Sequence, residues 1–176
     1  PPQSLSATLS QMKAAHRKAG APDYETRINY LNALEKMLVS NQDRICEAID
    51  KDFGGRSRHE SLVAEVYLTV TSIRHLREHL HEWMATEERE VAWTFLPGRA
   101  EVMWQPLGVI GVIAPWNYPI QLALAPLAAA LAAGNRALLK PSELVPETSE
   151  LLRQMIAETF TPDHVAVVTG GSDVAE

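Results

Sequence analysis

Three side chains in this sequence have the type and spacing to do chemistry together: Asn117, in Ala114-Pro115-Trp116-Asn117-Tyr118-Pro119, and the pair Lys140 and Glu143, in Lys140-Pro141-Ser142-Glu143. A side-chain amide offers both an N–H donor and a carbonyl acceptor, so Asn117 is either an ordinary turn former or a fixed donor aimed at a ligand. Lys140 and Glu143 form either a structural charge pair or a matched donor and acceptor for the 2′ and 3′ hydroxyls of an adenosine ribose. Tyr118 and Leu122, one turn apart, either pack into the core or line an entry to the amide.

The elements around these residues place them on one rim. The run before Asn117, 107–113 (Leu-Gly-Val-Ile-Gly-Val-Ile), is short, β-branched and uncharged, the pattern of a strand buried on both faces of a parallel sheet. The Leu/Ala-rich run 120–133 has Pro119 in its first turn and Gly134 past its end, which predicts a helix, with a local kink at Pro126. A second strand, 136–139, delivers Lys140; a helix over 146–160 and a strand over 165–168 follow, ending in Thr169-Gly170-Gly171-Ser172. There the paired glycines let the backbone approach a ligand, and Ser172 can cap a further helix. This β-α-β-α-β order is the first half of a doubly wound fold, and ligands of such sheets bind at the carboxyl ends of the strands. Gly108 and Gly111 fall inside the strand and match a dinucleotide fingerprint poorly.

Upstream, the apolar spacing of Leu5, Leu9 and Met12, then of Ile28, Leu31, Leu34 and Leu38, predicts two helices, the second started by Pro22-Asp23. A third opens at Ser40 and Asp43 and stops at Gly54-Gly55. Ser57-x-x-Glu60 reads as the capping box of a fourth, which carries Leu62, Val66, Ile73, Leu76 and Leu80 to about Met84. After the polar connector 87–90, residues 91–95 and 99–105 read as a hairpin around Leu96-Pro97-Gly98. A lone ribbon has open edges and calls for a partner.

Other reactive types carry less. Cys46, between Ile45 and Ile49 without a basic partner in register, is an inert core thiol and not a nucleophile. His75, His79 and His81 permit a metal geometrically, but Arg74, Arg77, Glu78 and Glu82 are interleaved among them, so they read as a solvated helix face and no metal is expected. The formal net charge of −6, with no long basic run, argues against nucleic acid as a partner. Residues 107–133 are uncharged and long enough to span a bilayer, but Pro115, Pro119, Pro126 and Asn117 interrupt them, so no membrane span is expected. A single cysteine cannot form an internal disulfide, and Pro1-Pro2-Gln3-Ser4 lacks the features of a secretory signal; the expected compartment is the cytoplasm.

Pro-Trp-Asn-Tyr-Pro (115–119) and Lys-Pro-Ser-Glu (140–143), preceded by Pro-Leu-Gly-Val-Ile-Gly-Val-Ile (106–113), resemble the amino-terminal third of an aldehyde dehydrogenase. Lys51-Asp52-Phe53-Gly54-Gly55-Arg56-Ser57 and 93–99 (Trp-Thr-Phe-Leu-Pro-Gly-Arg) are similar to the coniferyl aldehyde dehydrogenase branch, and both segments are expected to lie away from the chemistry. The resemblance implies an α/β fold of three parts: an amino-terminal helical segment, 1–88; a β-hairpin, 89–106, serving as the ribbon of a homo-oligomer; and the first half of a Rossmann-like NAD(P)-binding domain, 107–176. It implies oxidation of an aldehyde, coniferyl aldehyde being one candidate, to the acid through a thiohemiacetal and hydride transfer. Asn117 would then stabilise the oxyanion, and Ile113, Ala114, Pro115, Trp116, Lys140, Ser142, Glu143, Gly170 and Gly171 would border NAD, with NADP the alternative, while Tyr118 and Leu122 would line the aldehyde's path. Members of the family are much longer than 176 residues, and their nucleophilic cysteine and general base lie further along. The chain is accordingly expected to be inactive alone. The alternative is a non-enzymatic α/β nucleotide-binding or assembly module.

Overall fold

A computed structural model describes residues 5–174; the Pro1–Ser4 segment read above for a secretory signal lies outside the described residues. Four helical stretches come first: α1 (Leu5–Ala19), α2 (Tyr24–Ser40), α3 (Gln42–Phe53) and a long rod composed of α4 (Arg58–Ser61), a π-helical segment (Leu62–Tyr67) and α5 (Leu68–Trp83). The start of α2 and the end of α3 follow their local signals, but α3 does not open at Ser40, which closes α2; it starts at Gln42 after an Asn41 that makes no side-chain cap, because the Asn41 amide instead donates back to Met37 O at 2.8 Å. Asp23 accepts from Thr26 N at 2.9 Å to start α2, and α3 ends at Gly54, whose φ of +65° suits glycine.

The capping box does not form. Ser57 makes no side-chain cap, and Glu60 does not reach back to Ser57 N because it is taken by the guanidinium of Arg56 at 3.0 and 3.2 Å, a charge-assisted pair stronger than a neutral N–H contact. The hairpin also differs from its expected register. Its strands are β1 (Glu87–Arg89) and β2 (Ala100–Val102), paired antiparallel, while Trp93–Phe95 winds into a short 3-10 turn closed by Phe95 N to Ala92 O at 2.8 Å and Leu96 N to Trp93 O at 3.3 Å. The residues read as a polar connector are therefore the first strand; cross-strand partners, including Trp104 Nε1 to Glu87 Oε1 at 3.3 Å, outweigh the low strand propensity of Glu87-Glu88-Arg89.

The remainder is a parallel three-stranded sheet, β3 (Val109–Ile113), β4 (Arg136–Lys140) and β5 (Val165–Val167) in that order, with α6 (Gln121–Ala132) and α7 (Pro146–Thr159) as crossovers. This is half of a doubly wound sheet. Ile110, Val112, Ala137 and Leu139 face α6 and join the main core with Leu124, Leu127 and Leu131; α2, α3 and α5 pack behind the crossovers. The other face is only partly covered, by α1, so Gly111 and Ile113 are exposed and β3 is not buried on both faces as its composition predicts. Pro126 lies inside α6, which ends at Gly134 with φ +80°. There a Cβ would stand 2.9 Å from the guanidinium carbon of Arg27, a buried cation that binds Ala132 O at 3.1 Å and Pro22 O at 3.0 Å. Among the described residues no helix is long and apolar enough to cross a membrane, and 107–133 resolves into β3, a loop and α6.

Candidate active site

The parallel register pairs Ile113 with Lys140, so the loop after β3 and the loop after β4 leave the sheet side by side. Ala114 N continues the ladder to Lys140 O at 3.0 Å, and Val168 N reaches Leu139 O at 2.8 Å, drawing the Thr169-Gly170-Gly171 segment to the same rim. The sequence-predicted residues thus converge. Ile113, Trp116, Asn117 and Tyr118 are solvent-facing, Ala114 is buried beneath them, Pro115 is exposed, and Leu122 is half-buried on the first turn of α6.

At the second loop, Lys140 Nζ donates to Glu143 Oε2 at 2.7 Å, with the lysine side chain 11% and the glutamate 45% exposed. The hydrogen bond from Lys140 holds the Glu143 carboxyl below the usual range. One Glu143 oxygen remains to accept. Ser142 is buried in the turn: its Oγ accepts from Leu144 N at 3.2 Å and its carbonyl accepts from Ser149 Oγ at 2.8 Å. Pro141, Ser142, Glu143, Thr169 and Gly170 line a cleft of about 290 Å³. The glycine pair is also required within the chain, since a Cβ on Gly170 would lie 2.5 Å from Val174 Cγ2. Ser172 is the first residue of a single 3-10 turn, Ser172–Val174.

The Asn117 loop is held from below by groups that sequence reasoning missed. Glu65, fully buried on the π-helical segment, accepts from Ile120 N at 3.0 Å and Gln121 N at 2.9 Å, both through Oε2. Its other oxygen meets Arg56 Nη1 at 3.4 Å. Burial pushes the Glu65 carboxyl above its ordinary value, opposed by the Gln121 N–H, the Arg56 charge and the Ile120 N–H. Arg56 donates from Nη1 to Asn117 O at 2.9 Å, and its guanidinium carbon lies 4.5 Å from the centroids of both the Phe53 and Tyr118 rings. Phe53 in turn approaches Trp116, ring centroids 6.2 Å apart. The 51–57 segment, expected to lie away from the chemistry, is the floor of this loop. A signal existed: Glu65 stands alone as a charge inside the apolar run 62–70.

Cys46 is buried on α3, its Sγ 4.0 Å from Arg58 O, and burial raises its pKa, the opposite of what a nucleophilic thiolate needs. His75 and His79 pack on each other and on Trp83, centroids 4.3 Å apart within the His pair and 5.5 Å from His79 to Trp83.

The family model of the aldehyde dehydrogenases matches residues 2–176. A probable coniferyl aldehyde dehydrogenase of Caulobacter vibrioides is 44% identical over 171 residues, covering 96% of this chain and 35% of its own. Among solved structures, the substrate-bound Staphylococcus aureus AldH superposes with a TM-score of 0.92 at 30% identity, over 99% of this chain and 38% of that one. A Mycobacterium tuberculosis aldehyde dehydrogenase complexed with NAD+ gives 0.82 at 25% identity, over 96% of this chain and 35% of that one. The chain spans about a third of the length of the relatives it matches.

Proposed function

The chain belongs to the aldehyde dehydrogenase family, and we propose that it supplies the oxyanion donor and the adenosine end of the cofactor site of an NAD(P)-dependent enzyme oxidising an aldehyde to the carboxylic acid. The observation that carries this reading is the Asn117 amide, solvent-facing at the carboxyl end of β3, one strand from the Lys140–Glu143 pair. The residues fit a dinucleotide by their donor set. Lys140 and the free oxygen of Glu143 suit a ribose diol, the 290 Å³ cleft that Glu143 lines is open to the adenosine, and Ile113 and Trp116 lie exposed at the end of the neighbouring strand and its loop. When bound, the nicotinamide end supplies the hydride acceptor.

Attack of a thiolate on an aldehyde carbon turns the carbonyl oxygen into an oxyanion, and a held amide N–H stabilises charge that exists only from that point on. Asn117 is assigned that task. Cys46 is not the thiolate, so we assign the nucleophile and the general base to sequence outside these residues, and the chain alone is then inactive. A carboxylate against the 2′-hydroxyl disfavours a 2′-phosphate, which supports NAD over NADP. The resemblance to coniferyl aldehyde dehydrogenases supports an aryl-substituted aldehyde as substrate. The exposed Trp93, Phe95 and Trp104 around the 89–106 ribbon support a homo-oligomer formed through it, and the lone buried cysteine supports a cytoplasmic setting.

In the full-length enzyme, Asn117→Ala should lower kcat by about 10² to 10³ while leaving the dissociation constant for NAD unchanged. An unchanged kcat would remove the oxyanion role.

A further inference from the structure

Resting on that assignment of Asn117, the geometry points to Arg56 as the positioning residue of the oxyanion amide: its guanidinium, anchored on buried Glu65 and packed against the Phe53 and Tyr118 rings, fixes the Asn117 peptide from which the amide projects.

The Asn117 loop is held from other parts of the chain. It is the connection between β3 and α6, its residues 115–118 are exposed, and its carbonyl at Asn117 is held by a side chain 61 residues earlier in the chain. Arg56 makes every contact that a clamp needs. Nη1 donates to Asn117 O at 2.9 Å and meets Glu65 Oε1 at 3.4 Å, Nε and Nη2 donate to Glu60 Oε1 at 3.2 and 3.0 Å, and the guanidinium carbon lies 4.5 Å from the centroids of the Phe53 and Tyr118 rings. The side chain is only 9% exposed. A planar, five-donor fork can serve two carboxylates, a carbonyl and two aromatic faces at once, which an ammonium cannot.

Glu65 completes the arrangement, since the same carboxylate that anchors Arg56 accepts from Ile120 N and Gln121 N, the first amides after the loop. Arg56 therefore fixes the Asn117 peptide and Glu65 the exit of the loop, and the Cα–Cβ direction of Asn117 is set between them. A donor must lie within a few tenths of an ångström of the developing oxyanion to act, and displacement by about 1 Å costs on the order of 10²-fold. In this arrangement Arg56 acts through Asn117.

The test is a double-mutant cycle in the full-length enzyme between Arg56→Met and Asn117→Ala, reading kcat and the NAD dissociation constant. Arg56→Met alone should lower kcat roughly 10- to 100-fold with NAD binding unchanged, and should add little to Asn117→Ala, because the amide it positions is already gone. Arg56→Lys should fall between the wild type and Arg56→Met, and it carries the cycle if the methionine variant does not fold. A loss of the same factor in both backgrounds would make Arg56 a general support of the fold and overturn the inference, as would an unchanged kcat in Arg56→Met. If Asn117→Ala itself leaves kcat unchanged, it is the oxyanion reading that fails, and the positioning role fails with it.

Discussion

The loop into α6 and the loop into α7 both reach their first helical turn without a cap of their own, for neither Ile120 nor Val145 has a side chain that can accept the orphan amides. In both places a carboxylate from the amino-terminal helical layer does so. Glu65 accepts from Ile120 N and Gln121 N at 3.0 and 2.9 Å; Asp52 accepts from Glu147 N and Thr148 N at 3.1 and 2.8 Å. The two caps span similar distances, Glu65 taking both amides on Oε2 and Asp52 one on each oxygen, but their surroundings are opposite. Glu65 is fully buried and paired with Arg56, whereas Asp52 is only half-buried at the end of α3. Water can stand in for Asp52 and cannot for Glu65. The loop proposed to present the oxyanion donor is thus built to have one position, and the loop proposed to take the ribose hangs on a replaceable support.

Removing each carboxylate should expose that difference. Glu65→Ala leaves the Ile120 and Gln121 amides without their acceptor, at about 1–3 kcal/mol for each buried donor left unpaired, while Arg56 keeps its bonds to Glu60. Asp52→Ala removes an accessible cap, worth about 1 kcal/mol. Hydrogen exchange followed by mass spectrometry should show large loss of protection around Ile120 and Gln121 in the first variant and a small loss around Glu147 and Thr148 in the second. Equal losses would break the contrast between the loops.

Acidity sharpens the same contrast with opposite signs. Burial raises the folded-state pKa of Glu65 above 4.5, so in the interval above 4.5 the folded protein holds a proton that the unfolded chain has released. Stability contributed at this site is therefore full below 4.5 and is lost as pH rises through the folded value. Glu150 on α7 is lowered to about 2 by the hydrogen bond from Arg153, so its contribution is full above 4.5 and is lost as pH falls toward 2. Stability measured against pH for Glu65→Gln should gain on the wild type as pH rises above 4.5, and for Glu150→Gln should gain as pH falls below 4.5. A pH-independent difference for Glu65→Gln would show that its burial does not govern the first loop.

What could be read from sequence divides along the same line. The strands and crossovers, and the helix ends at Gly54 and Gly134, are local matters of composition, glycine placement and period, and the apolar runs at 107–113 and 136–139 announced β3 and β4. The placement of Asn117, Lys140 and Glu143 on one rim was legible because each lies at or just past the end of such a run. The supports were not. Glu65 sits on a π-helical segment whose wider turn departs from the 3.6-residue period, and it meets amides 55 and 56 residues away. Arg56 falls within a segment expected to lie away from the chemistry, and Glu60 reads as a cap, because nothing local says that Arg56 reaches Asn117, 61 residues on. The ribbon failed for a related reason: Glu87-Glu88-Arg89 becomes a strand through its partner Ala100–Val102, not through its own propensity.

The smallest effect is expected at the more exposed pair. Lys140 and Glu143 are joined at 2.7 Å, but the carboxylate is nearly half exposed and solvent screens it, so Glu143→Gln should leave thermal unfolding of the full-length enzyme almost unchanged. Its consequence lies in cofactor choice. With the negative charge gone, a 2′-phosphate meets no repulsion, while the amide still accepts from a ribose hydroxyl; kcat/KM for NADP should rise relative to NAD by a few fold, without the fall in kcat expected of Asn117→Ala. The measurement is the ratio of the two kcat/KM values in wild type and variant. An unchanged ratio would show that Glu143 points away from the ribose and that its bond to Lys140 is structural alone, leaving the second loop with no demonstrated task to set against the first.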